Sequence, residues 1–197
     1  MLGYNKENCF ARFIMGKLLL IMGDLATGKS TFAWALSQRY GVNVFIKDDI
    51  KEILGDTIGF ANRAENKRLS VATGALMCHI FSGFAKLGKP LILEANFRIG
   101  ELETLHSIAA EQGYQVLTLQ LQGSIPVLYE RFLNRIHNEN RHPVHICEEF
   151  DTLEGFREYI ESLRCPNIPG DVLSINADDF SYQADPQLLA SIDAFMK

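Results

Sequence analysis

Gly23-Asp24-Leu25-Ala26-Thr27-Gly28-Lys29-Ser30 matches G-x-x-x-x-G-K-[ST] at every fixed position, and Thr31 follows it. Before it lies a short β-rich apolar run, Lys17 to Met22, and after it a helix-period stretch, Lys29 to Tyr40. A strand that turns through glycines into a helix is the setting in which this pattern holds phosphate. The glycines let the loop wrap closely, so that backbone N–H groups and the positive end of the helix face the anion. The spacing nominates Gly23 to Thr31 as the cradle for the triphosphate of ATP. Lys29 bridges the β- and γ-phosphates, the Ser30 hydroxyl ligates Mg²⁺, and Thr31 lies toward the α-phosphate. Asp24 is discordant, because a carboxylate in such a loop repels phosphate unless it is turned toward an acceptor or toward solvent.

Outward from the loop the same alternation continues. Val42 to Ile46, Leu91 to Glu94, Val116 to Leu121 and Val172 to Ile175 read as further strands. Helical periodicity marks roughly Phe60 to Leu87, Gly100 to Gln112, Ser124 to Asn138, roughly Glu148 to Leu163, and Pro186 to Met196. Strand-helix alternation implies crossover connections and a parallel sheet covered on both faces. The expected fold is a three-layer α/β/α P-loop domain with about five parallel strands.

The 197 residues, 47% hydrophobic and 22% charged, suit one domain with a sizeable core. Residues 1–16 read as an N-terminal extension and 17–197 as the domain. A net charge of -5 argues against a surface that tracks nucleic acid throughout. Cys9, Cys78, Cys147 and Cys165 lie far apart with no C-x-x-C pair, which suggests neither a zinc knuckle nor a disulfide framework. Phe10 to Met22 is apolar enough to imitate a signal peptide, but Arg12 and Lys17 interrupt it and no small-residue cleavage site follows. No apolar stretch reaches membrane-spanning length. The expected location is the cytoplasm.

Acids and arginines flank the phosphate loop in the order of the strands. Lys47-Asp48-Asp49-Ile50-Lys51 ends the second strand, at the sheet edge where ligands of doubly wound folds collect. Either acid suits two roles: orienting an attacking hydroxyl, or capping a helix that begins near Ile50. The third strand ends at Glu94, beside the phosphate site, where an acid holds a Mg²⁺-bound water or polarises a hydrolytic one. Arg131 and Arg135 share one face of a helix that enters the His137 to Cys147 loop, with Arg141 beyond. Planar guanidinium groups suit the oxygens of a transferring phosphoryl group, so about 131–147 is expected to form a lid. His142 and His145 superficially resemble a metal pair but have no third ligand nearby.

This combination resembles the small P-loop kinases, in particular the phage-type polynucleotide 5′-kinases and their AAA_33-type relatives, including chloramphenicol phosphotransferase-like and zeta-toxin-like kinases. The resemblance spans roughly Lys17 to His145 and is most specific at the phosphate loop. It implies Lys29 and Ser30 as ATP and Mg²⁺ residues, Asp48 as the base that orients the hydroxyl, and Arg131 and Arg135 as lid arginines. Two departures stand out. Lys51 occupies a position that is Arg in the polynucleotide kinases, and Glu94 replaces Asp. The expected activity is transfer of the ATP γ-phosphate to a hydroxyl. Lys51 and the acidic charge tilt the acceptor toward a small molecule or nucleotide rather than a polynucleotide end. The rival readings are an ATPase using Glu94 and a nucleotide-binding regulatory module with little turnover.

Overall fold

β1 (Lys17–Gly23) forms because its apolar run is unbroken, as a strand covered on both faces requires. Leu18, Leu19, Leu20 and Ile21 are wholly buried. In the computed structural model of the protein the described residues are 16–138, 141–145, 150, 152–164 and 167–197. The N-terminal extension therefore lies almost entirely outside them, as do Cys9, Cys147 and Cys165. Cys78 is a free thiol.

After β1 come α1 (Lys29–Tyr40), β2 (Asn43–Ile46), α2 (Lys47–Ile58), α3 (Arg63–Lys86), β3 (Leu91–Glu94), α4 (Ile99–Gln112) and β4 (Gln115–Gln122). The chain closes with α5 (Ile125–Asn138), α6 (Leu153–Leu163), β5 (Asp171–Asn176) and α7 (Pro186–Met196). Short 3₁₀ turns occupy Pro143–His145 and Ser181–Ala184. The strands form one sheet in the order β2-β3-β1-β4-β5, and every pairing is parallel. Glu94 stands in register with Ile21 on one side and Ile46 on the other. The last residues of β1, β2 and β3 thus reach the same sheet edge.

Alternation along β1 divides the core. Leu18 and Leu20 pack with Met77 and Phe81 of α3 and Leu102 and Leu105 of α4. Leu19 and Ile21 face Phe32 and Leu36 of α1 and Ile192 of α7. Each buried side chain of this size contributes about 1.5–3 kcal/mol before entropy is counted. A third cluster joins Leu128 and Phe132 of α5 to Phe156 and Ile160 of α6, and it includes Ala26 of the phosphate loop. The helix expected to open the lid, α5, is therefore packed in one cluster with the loop.

The five-stranded α/β expectation holds, with element ends moving by a residue or a few. The main difference is α2, which begins directly after β2 rather than near Ile50. Its N-cap is Ile46, with no side-chain cap hydrogen bond, and Asp48 and Asp49 lie in its first turn. The capping alternative for the two acids is thereby corrected: they face the helix macrodipole from within the turn. α6 begins at Leu153, where Thr152 accepts the Gly155 N–H, whereas residues 148, 149 and 151 of its expected start lie outside the described residues.

Candidate active site

The phosphate loop adopts backbone that only particular residues tolerate. Gly23 has φ 133°, and a Cβ there would lie 1.9 Å from the Leu121 carbonyl oxygen, so the contact with β4 requires glycine. Gly28 has φ 85°, and a Cβ there would meet the Phe180 ring and the Tyr182 hydroxyl at 2.9 Å. Ala26 holds φ 59° without being glycine, a local strain of the kind found where a loop is over-determined by its surroundings. Those surroundings are identifiable: Tyr182 donates its hydroxyl to Thr27 O at 2.8 Å, and Asp24 N donates to Leu121 O at 2.9 Å.

Lys29 is buried at the start of α1 and donates to Asp24 O at 2.6 Å. Burial lowers the pKa of its ammonium; Glu94, Asp48 and Asp24 act in the opposite sense, and Arg135 adds to the lowering. Ser30 Oγ donates to Glu94 Oε2 at 2.9 Å. Burial raises Glu94 to about 7, with Lys29 opposing and Asp48 reinforcing the rise. An oxygen pair of this kind, a hydroxyl beside a buried carboxylate at the end of the phosphate-loop strand's neighbour, has the donor chemistry that Mg²⁺ takes. Thr31 is exposed in the first turn of α1.

Asp48 is exposed in the first turn of α2, two residues after Ile46, which is in register with Glu94, and its charge favours the ammonium of Lys29 and opposes ionisation of Glu94. Asp49 follows it in the same turn; partial burial raises its carboxyl first, then Glu52 and Asp48, while His145 lowers it. The neighbouring lysines are already engaged. Lys47 forms an ion pair with Glu101 at 2.8 Å, and Lys51 donates to Asn66 Oδ1 at 2.7 Å and to Val144 O at 3.3 Å.

The arginines separate. Arg131 donates to Ala177 O at 2.7 Å and to Asp178 O, and its guanidinium lies 4.3 Å from the centroid of the Phe180 ring. It therefore ties α5 to the loop after β5, beside Gly28, rather than reaching across Lys29. Arg135, one turn on, is the arginine that Lys29 senses. Of the expected lid, the segment 141–145 lies on α2 and α3. Val144 is buried and its carbonyl accepts from Asn66 Nδ2 at 2.8 Å. His142 Nε2 lies 3.0 Å from Asp56 Oδ1, and His145 Nε2 lies 2.9 Å from Glu52 Oε1. Each histidine thus has its own carboxylate, and no group of three metal-ligating side chains occurs among the described residues.

Two connections had no sequence signal. Asp24, the discordant loop residue, is 2% exposed and is held by Arg164 at 3.1 and 2.6 Å and by the Gly123 N–H at 3.2 Å. Its carboxylate is turned away from solvent into this clasp. Lys47–Glu101 joins the start of α2 to the start of α4, where Glu101 also accepts the Arg98 N–H at 2.9 Å. The sequence marked Asp24 as discordant in a phosphate loop but named no partner for it.

The sheet order, the helices on both faces and the loop after β1 define the class: this is an α/β P-loop kinase fold. Solved structures share it. A candidate kinase from Chloroflexus aurantiacus J-10-fl superposes with a TM-score of 0.80 at 24% identity, covering 93% of this chain and 100% of that one. A gluconokinase from Sinorhizobium meliloti 1021 gives 0.59 at 16%, covering 93% and 94%, and a shikimate kinase from Bacteroides thetaiotaomicron gives 0.52 at 20%, covering 88% and 92%. No family model matches the chain, and no curated protein matches it in sequence. No helix among the described residues is long and apolar enough to cross a membrane.

Proposed function

We propose that the protein is an ATP-dependent kinase that transfers the γ-phosphate to a hydroxyl of a small acceptor. The observation that carries this reading is the position of Asp48: exposed, in the first turn of α2, and two residues beyond Ile46, which stands in register with Glu94, the acceptor of the Ser30 hydroxyl. A carboxylate there orients an incoming hydroxyl toward a phosphate held by Lys29 and receives its proton late in a loose transition state. Lys29 stabilises the transferring charge, and Arg135 supplies a second cation from α5. Ser30 and Glu94 would hold Mg²⁺, which neutralises charge on the phosphates when bound.

The acceptor reading rests on what the nearby cations already do. Lys51 and Lys47 are bonded to Asn66, Val144 O and Glu101 rather than presented for a substrate phosphate. This supports recognition through a hydroxyl, and favours a small molecule over a polynucleotide end. Glu94 accepting from Ser30 supports a magnesium role over activation of a hydrolytic water.

The test is ADP release on addition of pools of hydroxylated metabolites, with the Asp48→Asn and Lys29→Ala variants alongside. Asp48→Asn is expected to keep ATP binding and melting temperature while transfer falls roughly a hundredfold or more. Lys29→Ala is expected to lose the thermal shift given by Mg-ATP. Normal transfer by Asp48→Asn, Asp49→Asn and the double variant would refute the assignment of an orienting acid.

A further inference from the structure

Asp24 poses a physical problem that the phosphate loop must solve to work. Its backbone is the hub of the loop: the N–H donates to Leu121 O, and the carbonyl accepts from Thr27 Oγ1 at 2.8 Å and from Lys29 Nζ at 2.6 Å. The carboxylate on that hub is almost wholly buried and close enough to Lys29 to favour its ammonium form. Left alone, a negative charge so placed would be costly to bury and would oppose the phosphates.

Arg164 prevents this. It is the C-cap residue of α6 and lies 140 positions along the chain from Asp24. Nε reaches Asp24 Oδ1 at 3.1 Å and Nη2 reaches Oδ2 at 2.6 Å, a two-pronged pairing that a lysine cannot reproduce. The same Nη2 donates to Gly123 O at 3.0 Å, while Gly123 N–H donates to Asp24 Oδ2. One guanidinium thus ties the phosphate loop, the end of β4 and the end of α6 together. α6 in turn packs on α5 through Phe156 and Phe132, 5.2 Å between ring centroids, and α5 carries Arg131 and Arg135.

We propose that Arg164 is a positioning residue for nucleotide binding: by neutralising Asp24 it makes the loop receptive to phosphate. The proposal rests on ATP occupying the loop and is independent of the acceptor. Removing the guanidinium while keeping the carboxylate exposes the phosphates to an uncompensated charge. At an effective dielectric of about 20 and a separation of about 10 Å, that weakens binding by roughly tenfold or more. The penalty should grow with the number of phosphates and vanish when the carboxylate is also neutralised.

The experiment measures dissociation constants for ATP, ADP and adenosine by calorimetry, with Mg²⁺, for the parent and for Arg164→Lys, Arg164→Gln, Asp24→Asn and Asp24→Asn/Arg164→Gln. The expected order of weakening for ATP is Arg164→Gln, then Arg164→Lys, with Asp24→Asn and the double variant within about threefold of the parent, because the repelling charge is gone. Adenosine affinity should change little in any variant. If Arg164→Gln does not fold, Arg164→Lys against the double variant carries the same comparison. Equal ATP affinity in the parent and the single Arg164 variants overturns the proposal. So does a double variant no better than Arg164→Gln, or adenosine weakened as much as ATP. A parent that fails to bind ATP would instead overturn the nucleotide reading on which the proposal rests.

Discussion

Gly74 sits in the interior of the 24-residue helix α3, where alanine ordinarily stabilises by about 1 kcal/mol. The structure reverses that sign. A Cβ at Gly74 would lie 2.0 Å from Glu101 Oε1 and 2.8 Å from its Cδ, so Glu101 must withdraw. The side chain is flexible, and the penalty is what it leaves behind. Glu101 accepts both contacts from Lys47 Nζ, at 2.8 and 3.1 Å, with the two side chains only 11% and 15% exposed, and it closes the capping box at Arg98. Loss of the charge-assisted bond is worth about 1.5–3 kcal/mol. Loss of the cap adds about 1 kcal/mol, and the helix gain returns about 1 kcal/mol. Gly74→Ala should therefore destabilise by about 2 kcal/mol and lower the melting temperature by roughly 4–8 °C. Gly83→Ala, on the same helix with nothing within 4 Å of the added Cβ, should be neutral or raise it by about 2 °C. Calorimetric melting of the two variants side by side decides the matter. If both rise together, the Gly74–Glu101–Lys47 contact is not a determinant of stability.

The metal-free protein should show a pH signature from Glu94. Its folded pKa of about 7 lies above the ordinary carboxylate value, so its contribution to stability is fully present below about 4.5 and is lost as pH rises through about 7. In Glu94→Gln the loss between pH 5 and 8 should flatten, as read from melting temperature in magnesium-free buffer; an unchanged slope would contradict the burial argument. The two arginines should divide their effects. Arg131→Ala strands the Ala177 and Asp178 carbonyls and uncovers Phe180, so it should lower the melting temperature by several degrees. Arg135→Ala, which removes a charge that bears on Lys29, should chiefly lower turnover. Equal behaviour of the two variants in both assays would rule out the division.

Elements with a local cause were legible in the chain. The apolar run ahead of Gly23 made β1, the fixed glycines and Lys29-Ser30 made the loop, and alternation of period 2 with period 3.6 made a parallel sheet with helices on both faces. The placement of Glu94 and Asp48 was legible for the same reason, since Glu94 ends β3 and Asp48 follows the end of β2 by two residues, and a parallel sheet gathers strand ends at one edge. The start of α2 was misjudged because Ile46 is an unusual N-cap and nothing in Lys47-Asp48-Asp49 announces that the helix has already begun. The direction in which each charged side chain points follows from how the layers pack. Arg131 and Arg135 read alike at a spacing of four, yet Arg131 is held by the carbonyls after β5, whereas it is the charge of Arg135 that bears on Lys29. Asp24 looked like a defect in the loop until α6, arriving 140 residues later, delivered Arg164 to it. Periodicity reports which face of an element is buried, but it carries no information about which distant charge the fold brings to that face. The partner of a buried carboxylate is set by how the layers pack.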